Sequence, residues 1–415
     1  MTPTPTHWGH GRIKWDTVTV AGATPSTDDD TFWLDGDDPT GTPFVAIADM
    51  SRRERVSATA KSLSSAGVTS RGMPLGRPGT LLFAMYASVG EVAFLDIQAT
   101  WNQALLGITP DPDRVESRFL RYVFLNMRDD LLRDVRSNTQ ANLNASQVGD
   151  IWFQRPPIEE QRAIADYLDR ETASINTFIE EQQHLIDMLR ERRQNLIRAE
   201  VLGSINPFDA PNGALTAIAH HYSVTLGKML DAGNKPRPGD VSLPYIRAGN
   251  IQDSGLRLDD VNEMPFSELE ATSLDLRAGD LLVVEGGAVG TNVVVSEDMP
   301  GWSFQKTVNR LRPTGPACSS WLGYVLRTYR DIGVIDIVCN KSTIPHLTAE
   351  KLRALRVPNV EPKEQARIAA LLDTETAKID DLIIETQRFI ELSRERRSAL
   401  ITAAVTGQID VPAVA

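Results

Sequence analysis

Two stretches of the chain carry a seven-residue apolar rhythm. In the first, Ala165, Thr172, Ile179, Ile186 and Arg193 make one column, and Leu168, Ile175, Gln182, Leu189 and Leu196 make the other. In the second, Ala369, Thr376, Ile383, Ile390 and Arg397 stand beside Leu372, Ile379, Thr386, Ser393 and Leu400. Two such columns per heptad are the seam of a coiled coil. Pro156 and Pro157 precede the first stretch, and Gly203 and Gly407 follow the two ends, as expected for a proline start and a glycine stop. Forty residues at about 1.5 Å each predict rods of roughly 60 Å. A lone rod cannot bury its seam, so each is expected to pair with the other, antiparallel, with a compact domain at either end of the coil.

The two stretches are copies of one another. Aligned on Gln161 and Gln365, they run without a gap to Ile205 and Ile409, with about half of the positions identical. The identities include Asp169/Asp373, Glu171/Glu375, Thr172/Thr376 and Arg190-Glu191-Arg192-Arg193 against Arg394-Glu395-Arg396-Arg397. Weaker matches precede them in the same order: residues 79–90 against 279–290, Phe119–Val123 against Trp321–Val325, and Pro43–Met50 against Pro244–Ile251. The chain therefore reads as domain, helix, domain, helix, with bounds 1–155, 156–203, 204–357 and 358–410. Short apolar runs at 81–86, 91–96, 280–285 and 292–296 predict strands, and 117–134 and 319–333 predict helices. The expected fold is mixed α/β, with an internal pseudo-twofold duplication and two similar domains separated by two long antiparallel coiled-coil helices.

Composition narrows the function classes. No run approaches the roughly 18 apolar residues of a membrane span, and Met1–Trp15 lacks the apolar core of a secretion signal. A cytoplasmic protein with no membrane partner is expected. Cys318 and Cys339 are the only cysteines, too few for a disulfide framework or a cysteine metal cluster, and both are expected as buried thiols. The net charge of −12 opposes phosphate binding, yet the helical segments carry more than half of it. Arg52, Arg53, Arg55, Lys61, Arg71 and Arg77 face only Asp49 and Glu54 locally, and Lys306, Arg310 and Arg312 form an acid-free run, so basic surface remains available.

Catalytic motifs are missing. Gly286–Thr291 lacks the Gly-Lys-Ser/Thr ending of a phosphate loop and reads as a turn between strands. Asn206-Pro207-Phe208 is close to the Asn-Pro-Pro-Tyr/Phe motif of adenine methyltransferases but lacks the second proline, and it follows a helix end, so a linker is expected. The adjacent His220 and His221 point apart on a strand and make a poor metal pair.

The helical segments carry a family resemblance. Pro156 through Asp169, Arg190–Arg193 and Val201–Gly203 resemble the central conserved region of type I restriction-modification specificity subunits. Pro362–Gln365, Ile368-Ala369, Leu372-Asp373 and Val405–Gln408 resemble its distal copy, and residues 340–347 the end of a target-recognition domain. The first half departs from that pattern at 138–143. The resemblance implies a non-catalytic subunit that reads a bipartite double-stranded DNA sequence, one half-site per domain, with the helices setting the unread spacer. It also implies two modification subunits that bring S-adenosylmethionine and methylate adenine, and restriction subunits that hydrolyse ATP with Mg and cut. A structural coiled-coil adaptor whose two domains bind proteins is the alternative.

Amides and guanidinium groups pair with adenine and guanine edges, so base and backbone contacts are expected at Arg52, Arg53, Arg71, Asn102, Gln103 and Gln140 in the first domain. In the second they are expected at Arg247, Asn250, Gln305, Lys306 and Lys341. A surface repeated with little change suits a partner present twice. Contacts to the modification subunits are therefore expected at Glu160, Gln161, Arg192 and Arg193 and at Glu364, Gln365, Arg396 and Arg397.

Overall fold

Helices run Ile158–Leu202 and Pro362–Val405, and each ends on a glycine whose positive φ (+54° at Gly203, +71° at Gly407) closes the last turn in the left-handed region. The structure, a computed structural model, describes residues 5–51, 53–86, 88–137, 142–229, 237–339 and 345–411. It divides into two compact units, Met1–Gln182 with Arg388–Ala415, and Gln183–Gln387. Each unit holds one domain, the start of one long helix and the end of the other.

The units share one plan. In the first, strands are ordered Thr17–Ala21, Leu105–Pro110, Leu81–Ala84, Val92–Leu95 and Arg55–Val56 across a five-stranded sheet. In the second, Tyr222–Leu226, Val308–Pro313, Leu281–Val284 and Asn292–Val294 repeat the first four places. A smaller sheet follows in both. There Thr42–Val45 lies parallel to Thr100–Trp101, and Val241–Ile246 lies parallel to Ser303–Phe304. The duplication legible in the helices thus extends through the domains.

The central strands are apolar at every position because both of their faces are covered. Leu81 and Phe83 face the helix Ser117–Ser137 and one core, while Leu82 and Ala84 enter a second core with Val45, Met50 and Trp101. Leu281 and Val283 likewise join Trp321 and Val325, and Leu282 and Val284 join Phe266 and Phe304.

Each domain rests on the paired helices of its own unit. In the first unit Ile164, Ala165 and Leu168 share a core with Ile401, Ala404 and Val405, and Arg397 donates to Asn176 at 2.5 Å, so the segments run antiparallel. In the second, Ile197, Val201 and Leu202 share a core with Ile368, Ala369 and Leu372, and Arg193 pairs with Asp380 at 3.0 Å. Most members of the predicted columns are buried, including Leu168, Thr172, Ile175, Ile186 and Leu189 in one copy and Leu372, Thr376, Ile379, Thr386 and Ile390 in the other, while Ile179, Arg193 and Leu196 and their counterparts Ile383, Arg397 and Leu400 are half-buried. Burying each leucine or isoleucine fully contributes about 1.5–3 kcal/mol. Of the cysteines, Cys339 is buried and Cys318 only half-buried.

Candidate nucleic-acid interface

Three segments far apart in sequence meet where the parallel strand pair ends, and they do so alike in both domains. Asn102 N–H donates to Val45 O at 3.1 Å, and Gln305 N–H to Ile246 O at 2.9 Å. Ala23 N–H reaches Trp101 O at 3.1 Å, and Lys228 N–H reaches Phe304 O at 3.0 Å. A glycine precedes each of the latter residues because a Cβ on Gly22 would lie 2.0 Å from Asn102 O, and one on Gly227 2.3 Å from Gln305 O. Four positions of this frame therefore correspond: Ala23 with Lys228, Ala46 with Arg247, Asn102 with Gln305, and Gln103 with Lys306.

In the first domain the frame borders a cleft of about 470 Å³ lined by Thr24, Trp33, Phe44, Ala46, Lys61 and Gln103 among others. Trp33 and Phe44 meet edge to face at 5.1 Å, and the Lys61 ammonium lies 5.4 Å from the Trp33 ring centre. Gln103 is exposed and accepts from the Thr24 hydroxyl. Asn102 is half-buried, and its Oδ1 accepts from Ala104 N–H at 3.1 Å.

In the second domain the frame is cationic. Lys306 is exposed, with no ion-pair partner among the described residues. Arg247 is half-buried; one Nη donates to Asp260, while its Nε is buried without a partner. Gln305 is half-buried, 3.5 Å from the Thr307 hydroxyl. Lys228 lies along the Phe266 ring and bonds to Glu270 at 2.5 Å and Pro265 O at 2.8 Å. Burial opposes ionisation of Glu270, but Lys228 and the Ser267 backbone and hydroxyl outweigh it and hold the carboxyl below its usual range.

Several expected contacts are corrected by this geometry. Asn250 is 3% exposed and fully used within its turn: its Oδ1 takes Arg247 N–H at 3.0 Å, and its Nδ2 donates to Arg257 O and Asp260 O at 2.9 Å. Asp49 does the same work for Ala46 N–H and Ala60 N–H, so that pair holds the frame and cannot read bases. The two arginines of the acid-free run are neutralised in space. Arg310 is 6% exposed and pairs with Asp275, and Arg312 grips Asp280 at 2.6 Å and Asp275 at 3.0 Å. Burial and neighbouring Arg312 push the Arg310 pKa down, whereas Asp280 bonding raises that of Arg312 against its burial. Arg53 and Arg71 are exposed but do not line the cleft. Arg52, Gln140 and Lys341 lie outside the described residues.

The helical candidates divide. Gln161 is 0% exposed: its Oε1 takes Glu116 N–H at 2.9 Å, and its Nε2 donates to Arg114 O at 3.0 Å and Pro156 O at 2.8 Å. Gln365, 4% exposed, does the same for Cys318 N–H and Val360 O. These two lock domain to helix and are not available to a partner. Arg193 and Arg397 are spent on Asp380 and Asn176 within the coil. Glu160 accepts from His7 and from Trp8 Nε1 at 2.9 Å, and Glu364 pairs with Arg367. Arg192 and Arg396 remain exposed, with no ion pair among the described residues.

A second lock went unread in the sequence. Tyr122 Oη donates to Asp169 at 2.8 Å and lies 3.1 Å from the Thr172 hydroxyl, and Tyr324 Oη donates to Asp373 at 2.7 Å. Burial raises both phenol pKa values, and the neighbouring aspartate adds to the shift. The signal was present in the identities Asp169/Asp373 and Thr172/Thr376 and in the tyrosine shared by the preceding helices.

The loop Gly286–Thr291 joins two strands, with Gly287 and Gly290 at positive φ. Asn206 accepts from Phe208 N–H in a turn after the first long helix. No group of three or more potential metal ligands occurs among the described residues.

Residues 17–186 match the family model of the type I restriction modification DNA specificity domain. The type I restriction enzyme EcoBI specificity subunit of Escherichia coli is 22% identical over 254 residues, covering 57% of this chain and 53% of that protein, so the chain spans about half the length of the curated relative it matches. Two solved structures share the fold over nearly all of the chain. One, described as the structural basis of complex assembly and conformational transition of the type I R-M system, has a TM-score of 0.77 at 16% identity, covering 99% of this chain and 100% of that one. The HsdS subunit from Thermoanaerobacter tengcongensis has a TM-score of 0.58 at 15% identity, covering 98% of both chains. The resemblance read mainly from the helical repeat is thus borne out by a match lying largely outside it.

Proposed function

We propose, from the match of residues 17–186 to the type I restriction modification DNA specificity domain, that the chain is the non-catalytic specificity subunit of a type I restriction-modification complex. It binds a bipartite double-stranded DNA target, one half-site per domain, and directs adenine methylation or cleavage by partner subunits. S-adenosylmethionine, ATP and Mg belong to those partners. The observation that carries this reading is the loop frame of the two domains. Its principal backbone bonds are shared by both, while its side chains differ at all four corresponding positions. A shared scaffold with divergent tips is what two separate base readings require. The half-sites follow the domains, and the unread spacer follows the length of the paired helices.

Partner docking fits the helices. The first unit leaves Phe178, Phe389 and Leu392 exposed, and the second leaves Leu382, Leu185 and Met188 exposed at the matching places of the repeat. With Arg192 and Arg396 they offer two equivalent surfaces to two modification subunits. Among the described residues no helix is long and apolar enough to cross a membrane, and a cytoplasmic site of action suits the DNA target.

The test is a domain exchange in the reconstituted methyltransferase. Replacing residues 207–346 with the matching domain of a relative changes one half-site of the methylated motif and leaves the other half-site and the spacer unaltered. A change in both half-sites together overturns the assignment of one domain to one half-site. DNA binding that does not weaken as salt rises argues for the protein-binding adaptor instead.

A further inference from the structure

We infer that the two domains read different base chemistries: the first an A·T pair through Gln103 over an apolar wall, the second a G·C pair through the Arg247 fork. This rests on the proposed function and specifies how its two half-sites differ.

The frame positions correspond through the shared bonds of Asn102 and Gln305 and of Ala23 and Lys228, with one further bond in the second domain from Lys306 N–H to Lys228 O at 2.8 Å, so the main difference lies in the side chains. In the first domain Ala23, Ala46, Asn102 and Gln103 bring no charge. The Asn102 carbonyl is used by Ala104 N–H, which makes that residue a turn former. Gln103 is exposed, and its carbonyl keeps a second lone pair after accepting from Thr24, while its amino group donates. One donor beside one acceptor matches adenine N7 and N6 and mismatches guanine, whose N7 and O6 both accept. Beside it Ala46 and Phe44 line the cleft and supply the apolar contact that a thymine methyl takes.

In the second domain Lys228 is consumed by Glu270 and Pro265. Arg247 is held differently. Asp260 grips one Nη and orients the guanidinium; the Arg247 side chain is 34% exposed, with Nε buried, so it is the Nη end of the fork that reaches the surface. A guanidinium offers donors only, which suits the two acceptors of guanine and repels the adenine amino group. The exposed Lys306 stands where Gln103 stands in the first domain and adds a second donor-only group.

The experiment expresses the full chain with its modification subunits and maps methylated sites genome-wide by single-molecule sequencing. The wild type is expected to methylate a bipartite motif with a fixed G·C pair in one half-site and a fixed A·T pair in the other that respond separately to these residues. Arg247→Ala is expected to relax discrimination at the one G·C position by about 5-fold to 150-fold, the fold-change of a 1–3 kcal/mol bidentate contact. Arg247→Gln puts a shorter amide, with one donor and one acceptor, in place of the guanidinium and is expected to turn the preference there toward A·T. Gln103→Ala is expected to relax an A·T position in the other half-site by a similar factor. Matched thermal unfolding of the variants guards against misfolding, and Arg247→Lys, which keeps the charge, is expected to relax the same position. Relaxation at the opposite base type, a uniform fall at all sites, or an unchanged motif overturns the inference while leaving the bipartite reading in place. A wild type with no bipartite motif overturns the proposed function and this inference with it.

Discussion

Replacing Gln161 with alanine deletes an amide that has no contact with water and three polar partners. Glu116 N–H loses its acceptor, and Arg114 O and Pro156 O lose their donor. A buried N–H left without a partner costs about 1–3 kcal/mol. The two carbonyls cost less because each retains another lone pair, and removal of the side chain leaves a small void. The expected loss is about 3–5 kcal/mol, confined to the unit that joins the first domain to the start of Ile158–Leu202. Amide hydrogen exchange reads this locally. Protection along 114–122 should fall on the order of 100-fold or more, since 1.4 kcal/mol is tenfold. The matching segment 318–326, locked by the unaltered Gln365, serves as an internal control. A loss under about 0.5 kcal/mol, with assembly to the modification subunits abolished, would refute the burial argument and return Gln161 to the docking surface.

Three other outcomes follow from the same geometry. Asp275→Asn removes the carboxylate that neutralises Arg310 and Arg312 and should destabilise its unit toward the lower end of about 3–5 kcal/mol, because Asp280 still holds Arg312. Burial works against ionisation of Asp275, but Arg277 and Arg312 overcome it and keep the carboxyl below its usual range. Its contribution is therefore full above about pH 4 and fades as pH falls through the lowered folded value, so wild type and variant should converge in acid unfolding; a constant gap counts against the ion pair. Arg192→Glu with Arg396→Glu should weaken assembly at least tenfold by titration with modification subunits while leaving thermal unfolding within about 0.5 kcal/mol, and intact assembly removes these arginines from the interface. Gly227→Ala forces a Cβ against Gln305 O and should displace that loop, cutting DNA affinity and second-half-site methylation while the first half-site stays fixed; unchanged methylation contradicts the frame.

The helices, their register of buried columns and the duplication were legible in the chain itself, because helical burial has a short period that residues such as Leu168, Ile175 and Leu189 display directly. The strands at 81–84 and 281–284 were visible for the related reason that apolar runs are short and continuous when both faces are covered. Which polar residues of those elements face water was decided only by tertiary packing. Gln161 reads as surface on a helix, and it is the domain folded over it, through Arg114 and Glu116, that buries it. Arg310 and Arg312 look free of acid along the chain, yet the neighbouring strand brings Asp275 and Asp280 against them from about thirty residues away. The loop frame is the extreme case: Gly22, Ala46 and Gln103, or Gly227, Arg247 and Lys306, come together only through long-range strand pairing, which local pattern does not record. Periodicity specifies which face of an element is apolar, and the fold alone specifies what covers the rest.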